Sequence, residues 1–114
     1  MYSYIEGVLV DTKILTSVND KSYIKLYLDD IIITDENENE IDLNNEGSFM
    51  ITAWPSDLVF IQSFCRREVS QLDIEEVNSI IRGIFLEKTV IIKARTKETE
   101  SGMTFYNAKE IKLQ

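Results

Sequence analysis

Three stretches of this sequence alternate apolar and polar residues one by one. A period of two marks an extended strand with one face turned to a core. "SYIKLYLDD" (22–30) sets Ile24, Leu26 and Leu28 against Tyr23, Lys25, Tyr27 and Asp29. "SFMITAW" (48–54) sets Phe49, Ile51 and Ala53 against Met50, Thr52 and Trp54. Between 85 and 97, Val90, Ile92, Ala94 and Thr96 oppose Ile91, Lys93, Arg95 and Lys97. Two further strands complete the pattern. The first, 3–17, carries Ile5, Leu9 and Ile14 among polar residues, with Gly7 placed where a missing side chain permits a bend, a bulge or a close backbone approach. The last, 103–113, runs towards the end of the sequence.

The segments between the strands are read from turn chemistry. "SVNDKS" (17–22) is a turn, because asparagine and aspartate bond their own backbone and tolerate left-handed conformations. The second strand is expected to reach Thr34, after which "TDENENEIDLNNEG" (34–47) is acidic, rich in asparagine and suited to a solvated hairpin loop. Pro55 ends the third strand, since it has no amide hydrogen for a ladder. The period then becomes helical over about 56–83. Leu58, Ile61, Phe64 and Cys65 recur at helical spacing. Asp73 as N-cap, Glu76 three residues on, the stripe Ile74, Val77 and Ile81, and Gly83 as stop predict a second helix. "KETESG" (97–102) is a polar hairpin loop. Strand, strand, strand, helix, strand, strand suits a small antiparallel barrel better than a parallel sheet, whose strands would alternate with helices.

Size and composition narrow the function. The 114 residues, 44% hydrophobic, make one domain, with no apolar run near the roughly 20 residues that span a bilayer. Residues 1–10 lack the basic start and unbroken apolar stretch of a secretion signal, so the protein is read as cytoplasmic and without a membrane association. One cysteine and no histidine disfavour disulfide, zinc and triad chemistry. Cys65, in "VFIQSFCRR", is read as a small core or boundary residue rather than a reactive thiol. The four glycines never cluster, so no phosphate-cradling loop or nucleophile elbow is present, and neither enzyme activity, cofactor nor metal is expected. Asp35, Asn37, Asn39 and Glu46 match four positions of a calcium loop, but Glu40 stands where the turn wants glycine and strands flank it.

The net charge of −8 is unevenly spread. Eight acids and no base lie between Asp29 and Glu46, leaving twelve acids against twelve bases elsewhere. Local potential matters more than the sum when a polyanion docks.

The outward halves of the strands hold the candidate site: Tyr23, Lys25 and Tyr27; Met50, Thr52 and Trp54; Lys93, Arg95 and Lys97. Rings stack bases at about 1–3 kcal/mol each while adjacent cations neutralise phosphates, a combination that binds single strands with little sequence preference. The structural alternatives stand beside this reading. Tyrosine is a good strand former, Trp54 could cap a barrel end, and a Lys93, Arg95, Lys97 stripe could protect an edge strand from aggregation. Arg66, Arg67 and Arg82 lie near helix ends, where the dipole alone favours cations.

The strand order, Gly7 in the first strand, the "ITAW" of the third, a helix ending at Gly83 and the "KTVIIKARTKETESGMTFYNAKEI" hairpin together resemble the OB-fold of single-stranded-DNA-binding proteins, particularly phage and plasmid versions of about this length. The resemblance implies a mainly β, five-stranded antiparallel OB-fold barrel with a helical insertion between strands three and four. It also implies nucleic acid on the face of strands two and three, and a homodimer acting in replication, recombination or transfer. The expected ligand is single-stranded DNA, with RNA as a variant. Bacterial members commonly end in an acidic tail that recruits replication proteins. This sequence closes on "KEIKLQ", which leaves the acidic loop as the candidate for that recruitment. A second reading, supported by the net charge, is an acidic OB-fold adaptor or DNA mimic that binds a nucleic-acid-processing protein.

Overall fold

β1 (Tyr2–Thr16) is long enough to serve two partners. Its first half pairs antiparallel with β5 (Thr89–Glu98), and most of its length pairs with β2 (Ser22–Asp35). Passing between them requires a bend, and Gly7 sits at it. The β1–β2 register slips between Glu6 and Val8, and a Cβ on Gly7 would meet the Ile31 Cγ2 at 2.9 Å and the Asp29 carbonyl oxygen at 3.0 Å. Asp30, across the slip, takes φ 53°. The irregularity is a bulge that turns the strand around the barrel.

The computed structural model describes residues 2–41, 49–57, 73–102 and 104–114. The helical spacing of Leu58, Ile61, Phe64 and Cys65, the Arg66–Arg67 pair, most of the acidic loop's second half and Met103 lie outside them. β2 leads through a tight turn to a two-residue strand that the sequence had concealed, β3 (Glu40–Ile41), paired to Ile33 and Thr34. The Asp35 carboxylate accepts from the amides of Asn37 and Asn39 at 2.8 and 3.0 Å, so it is used in building this turn. β4 (Phe49–Ala53) pairs antiparallel with β2, and a 3-10 turn, Pro55–Asp57, follows as the proline predicts. β6 (Thr104–Leu113) pairs with β5, and Asn107 meets Thr52 of β4 in parallel. That contact closes the barrel, so its seam is parallel where an all-antiparallel wall was expected.

The inward half of each strand forms the core, as the alternation requires. Ile5, Leu9, Ile24, Leu26, Leu28, Ile51, Val90 and Ile92 are fully buried. Ala53, Ala94 and Ala108 are also fully buried, and Ala94 and Ala108 are register partners, which lets the wall close tightly beside the seam. Ile14 departs from expectation at 37% exposure: β1 pairs with β5 only as far as Val8, so its later residues have β2 alone beside them.

The helix α1 (Ile74–Phe85) closes one end. Asp73 caps it, its carboxylate accepting from the Glu76 amide at 2.8 Å. Val77, Ile81 and Phe85 are buried in the core, with Ile74 packed partly against it. Gly83 does not stop the helix. It is exposed inside the last turn, and Phe85, expected at the start of a strand, is helical and 1% exposed. Burying an aromatic side chain is worth about 1.5–3 kcal/mol, which exceeds the roughly 1 kcal/mol that a helical glycine costs. The reversal comes at Glu87, φ 64°, whose amide donates to the Leu9 carbonyl at 2.7 Å. Arg82 fixes the helix to β1, its guanidinium donating to Asp11 Oδ1 at 2.9 Å and to Thr12 Oγ1 at 3.1 Å, while Thr12 Oγ1 donates to Asn78 Oδ1 at 2.7 Å. Arg82 is thus structural.

Two outcomes test this account. Gly83→Ala should raise stability by about 0.5–1 kcal/mol, read as a higher urea midpoint at unchanged slope, because the added methyl meets nothing within 4 Å; a lower midpoint contradicts the interior-helix placement. The Arg82 hydrogen bond, then the Thr12 amide, hold the Asp11 carboxyl below its ordinary 3.8. A depressed folded-state value contributes stability that is present above 3.8 and lost as pH falls through the lower folded value. The stability advantage of the wild type over Asp11→Asn should therefore shrink on acidification below 3.8, and a gap constant with pH rejects the pairing.

Candidate nucleic-acid interface

Strand register lines up one row of residues across the outside of the barrel. Lys13 of β1 is the partner of Lys25, Lys25 of Thr52, Thr52 of Asn107, Asn107 of Arg95 and Arg95 of Tyr2. The buried neighbours Ile24, Leu26, Ile51, Ala53, Ala94 and Ala108 point these side chains outward. Two adjoining grooves open along the row. One, about 370 Å³, is lined by Tyr23, Lys25, Thr52, Trp54, Lys97, Phe105 and Asn107, among others. The next, about 500 Å³, shares Trp54, Lys97 and Asn107 and adds Arg95, Lys109 and Asp57.

The rings are held before any ligand arrives. Tyr23 and Trp54 lie with centroids 4.9 Å apart and planes tilted by 44°, and both are half-buried. Lys25 Nζ donates to Thr52 Oγ1 at 3.3 Å and sits 6.0 Å from the Tyr23 centroid. Thr52 is only 9% exposed, so its role in the site is to hold the lysine. Arg95 and Lys97 are exposed, and Lys109 is paired with Asp57 at 3.0 Å.

The nine residues singled out in the sequence do not all fall together. Tyr23, Lys25, Thr52, Trp54, Arg95 and Lys97 line the two grooves. Tyr27 and Met50 are partners one outward row further along, with Lys13 Nζ 5.5 Å from the Tyr27 centroid and Met50 52% exposed. Lys93 leaves the grooves and stands over the Tyr2 ring, its Nζ 4.6 Å from the centroid. Lys93 and Arg95 lie between β1 and β6 and so protect no edge, whereas Lys97, past the end of the β1 pairing, has β6 alone beside it.

Phe105 and Asn107 line the groove as well, outside those nine. Phe105 is 40% exposed and is the register partner of Lys97, while Tyr106 beside it is 9% exposed, packs edge-on against Phe49 and has its phenol pushed up by burial. The signal was the outward half of "TFYNA", which sets Phe105 and Asn107 against Tyr106 and Ala108.

No protein-family model matches the chain, and no curated protein sequence matches it. Solved structures do. The barrel has the OB-fold, and it is similar to the mitochondrial single-stranded DNA-binding protein Rim1 from S. cerevisiae, with a TM-score of 0.57 and 13% identity over 99% of this chain and 94% of that one. A second crystal form of Rim1 gives a TM-score of 0.54 and 13% identity over 99% and 92% of the two chains. At this identity the likeness is one of fold.

Trp54 is the sole tryptophan, so its fluorescence reports on the ring pair. Tyr23→Ala should shift the emission to longer wavelength by opening the indole to water, and Tyr23→Phe should leave it close to wild type. Identical spectra for all three reject the ring contact.

Proposed function

We propose that this chain binds single-stranded DNA without catalysis and with little regard to sequence. The observation that carries the reading is the row from Lys25 to Arg95, which passes the Tyr23–Trp54 ring contact and, with Lys97 beside it, sets three cations along two adjoining grooves of an OB-fold barrel. Bases stack on Tyr23, Trp54 and Phe105, and Lys25, Arg95 and Lys97 neutralise the phosphates between them. Rings fixed by packing lose little freedom on binding, so more of each stacking contact appears as affinity. The fold shared with Rim1, a single-stranded DNA-binding protein, supports the same reading. Replication, recombination or transfer of phage or plasmid DNA by a cytoplasmic homodimer is the setting that the sequence resemblance supports. The acidic loop is the candidate contact for replication or recombination proteins.

The reading is tested by titrating labelled oligothymidine against wild type, Tyr23→Ala, Trp54→Ala and Phe105→Ala. Loss of Trp54 should weaken binding about 5- to 150-fold, the equivalent of one base stack. If three phosphates are neutralised, log affinity should fall against log salt with a slope of about −2, and Arg95→Ala should flatten it by about 0.7. Wild-type affinity in all three ring variants rejects the groove. A chain that ignores oligonucleotides and instead captures a basic DNA-handling protein is the adaptor or mimic.

A further inference from the structure

A second cluster of rings stands where the outward row reaches β1. Tyr2 is the register partner of Arg95, and Tyr4 is the partner of Lys93. Ser3 and Ile5 are buried at 2% and 0%, so the alternation turns both phenols outward, with Tyr4 39% exposed. Lys93 Nζ lies over one face of the Tyr2 ring, 4.6 Å from its centroid, which fixes the ring and keeps an ammonium beside it. Arg95 belongs both to this cluster, as the neighbour of Tyr2, and to the groove below Trp54. The two ring sites are therefore bridged by a cation. Three acids border the cluster: Glu36 accepts from the Tyr2 amide at 2.9 Å, Glu110 is the β6 partner of Lys93, and Glu6 follows Tyr4 on the same outward face of β1. They restrict the path of a phosphate backbone to the side of Lys93 and Arg95.

We infer that Tyr2, Tyr4 and Lys93 form a second stacking subsite, which takes a base of the same single strand after it leaves the groove across Arg95. The inference rests on the single-strand reading above. Tyr4 is the open platform, Tyr2 the ring braced by Lys93, and Arg95 the phosphate contact between the sites. Geometry separates the two subsites. From Lys25 to Tyr2 the row crosses from β2 through β4, β6 and β5 to β1, about 20 Å along the curved wall at roughly 4.8 Å per strand. A strand of a few nucleotides fills the groove alone, and a longer one engages both.

The experiment compares oligothymidines of about three and about twenty nucleotides, one below and one above the roughly 4–16 nucleotides usual for one OB-fold. Tyr4→Ala should leave the short ligand at wild-type affinity and weaken the long one at least about fivefold, and Tyr4→Phe should restore it. Lys93→Ala should flatten the salt slope by about 0.7 for the long ligand only. Wild-type binding of the long ligand by Tyr4→Ala overturns the subsite while leaving the groove intact. Equal weakening on both lengths together with a lower melting temperature assigns Tyr4 to structure and also overturns it. Self-association that is lost in Tyr4→Ala without any change in DNA affinity gives this face to a second copy, and overturns it again. Failure of the groove itself is distinguishable, because Trp54→Ala would then bind both lengths as wild type does.

Discussion

The barrel closes where Thr52 of β4 meets Asn107 of β6, and that seam decides what the outside of the molecule can do. Without it, β4 and β6 are the two outer edges of one sheet that runs through β2, β1 and β5, and each edge carries part of a potential site. Joining them at this register, and at no other, puts Lys25 in line with Arg95 and leaves Trp54 and Phe105 lining one cleft. A slip of one residue would turn Asn107 inward and Ala108 outward, since side chains alternate along a strand. The fully buried Ala53, Ala94 and Ala108 oppose such a slip, because larger or polar side chains could not take their places in so tight a wall. Core packing thus sets the geometry of the surface.

Electrostatics follows from the same arrangement. A chain of net charge −8 presents cations on one face because its acids are kept elsewhere along the strands. Asp29 and Asp30 lie four and five residues beyond Lys25 on β2, about 13 Å or more at 3.3 Å per residue. Exposed charges at that separation are largely screened at physiological salt, where the Debye length is about 8 Å. The acidic stretch can therefore repel polyanions over the rest of the surface without cancelling Lys25, Arg95 and Lys97. Closer in, Asp57 neutralises Lys109 at the margin of the groove, which leaves Arg95 and Lys97 as its open cations.

The strands were legible because period two is a direct imprint of burial on sequence. Every residue of Ile24, Leu26, Leu28, Ile51, Val90 and Ile92 that the alternation assigned to the core is fully buried. What escaped has physical causes. Gly83 looked like a stop because propensity is local, whereas the burial of Phe85 that carries the helix past it depends on the barrel end it covers. β3 is two residues long, too short for any period, and it pairs with the side of Ile33 and Thr34 that faces away from β1, beyond the reach of β4. Phe105 was hidden because adjacent aromatics leave open which ring faces in. Its orientation follows from pairing with Lys97, a contact between strands. Within the candidate site, sequence identified the ring and cation types, and only the pairing of β2 with β4 and of β1 with β5 sorts Tyr23 and Trp54 into one cleft, Tyr27 and Met50 into the next row, and Lys93 onto Tyr2.

That sorting bears on how such a surface binds a flexible chain. Platforms on loops would have to be ordered by the ligand, and the lost side-chain and backbone freedom would be subtracted from every stack. Here Tyr23, Lys25, Thr52, Lys97 and Phe105 stand on paired strands, and Trp54 follows the last residue of one, leaning on Tyr23. Tyr23, Lys25 and Trp54 are further restrained by contacts with one another or with Thr52. The ordering cost has been met during folding by the same burial that holds the barrel together. What the ligand must still supply is its own ordering, which explains why a row of modest contacts, repeated across neighbouring strands and linked by one continuous backbone, can bind as a unit when no single contact is strong.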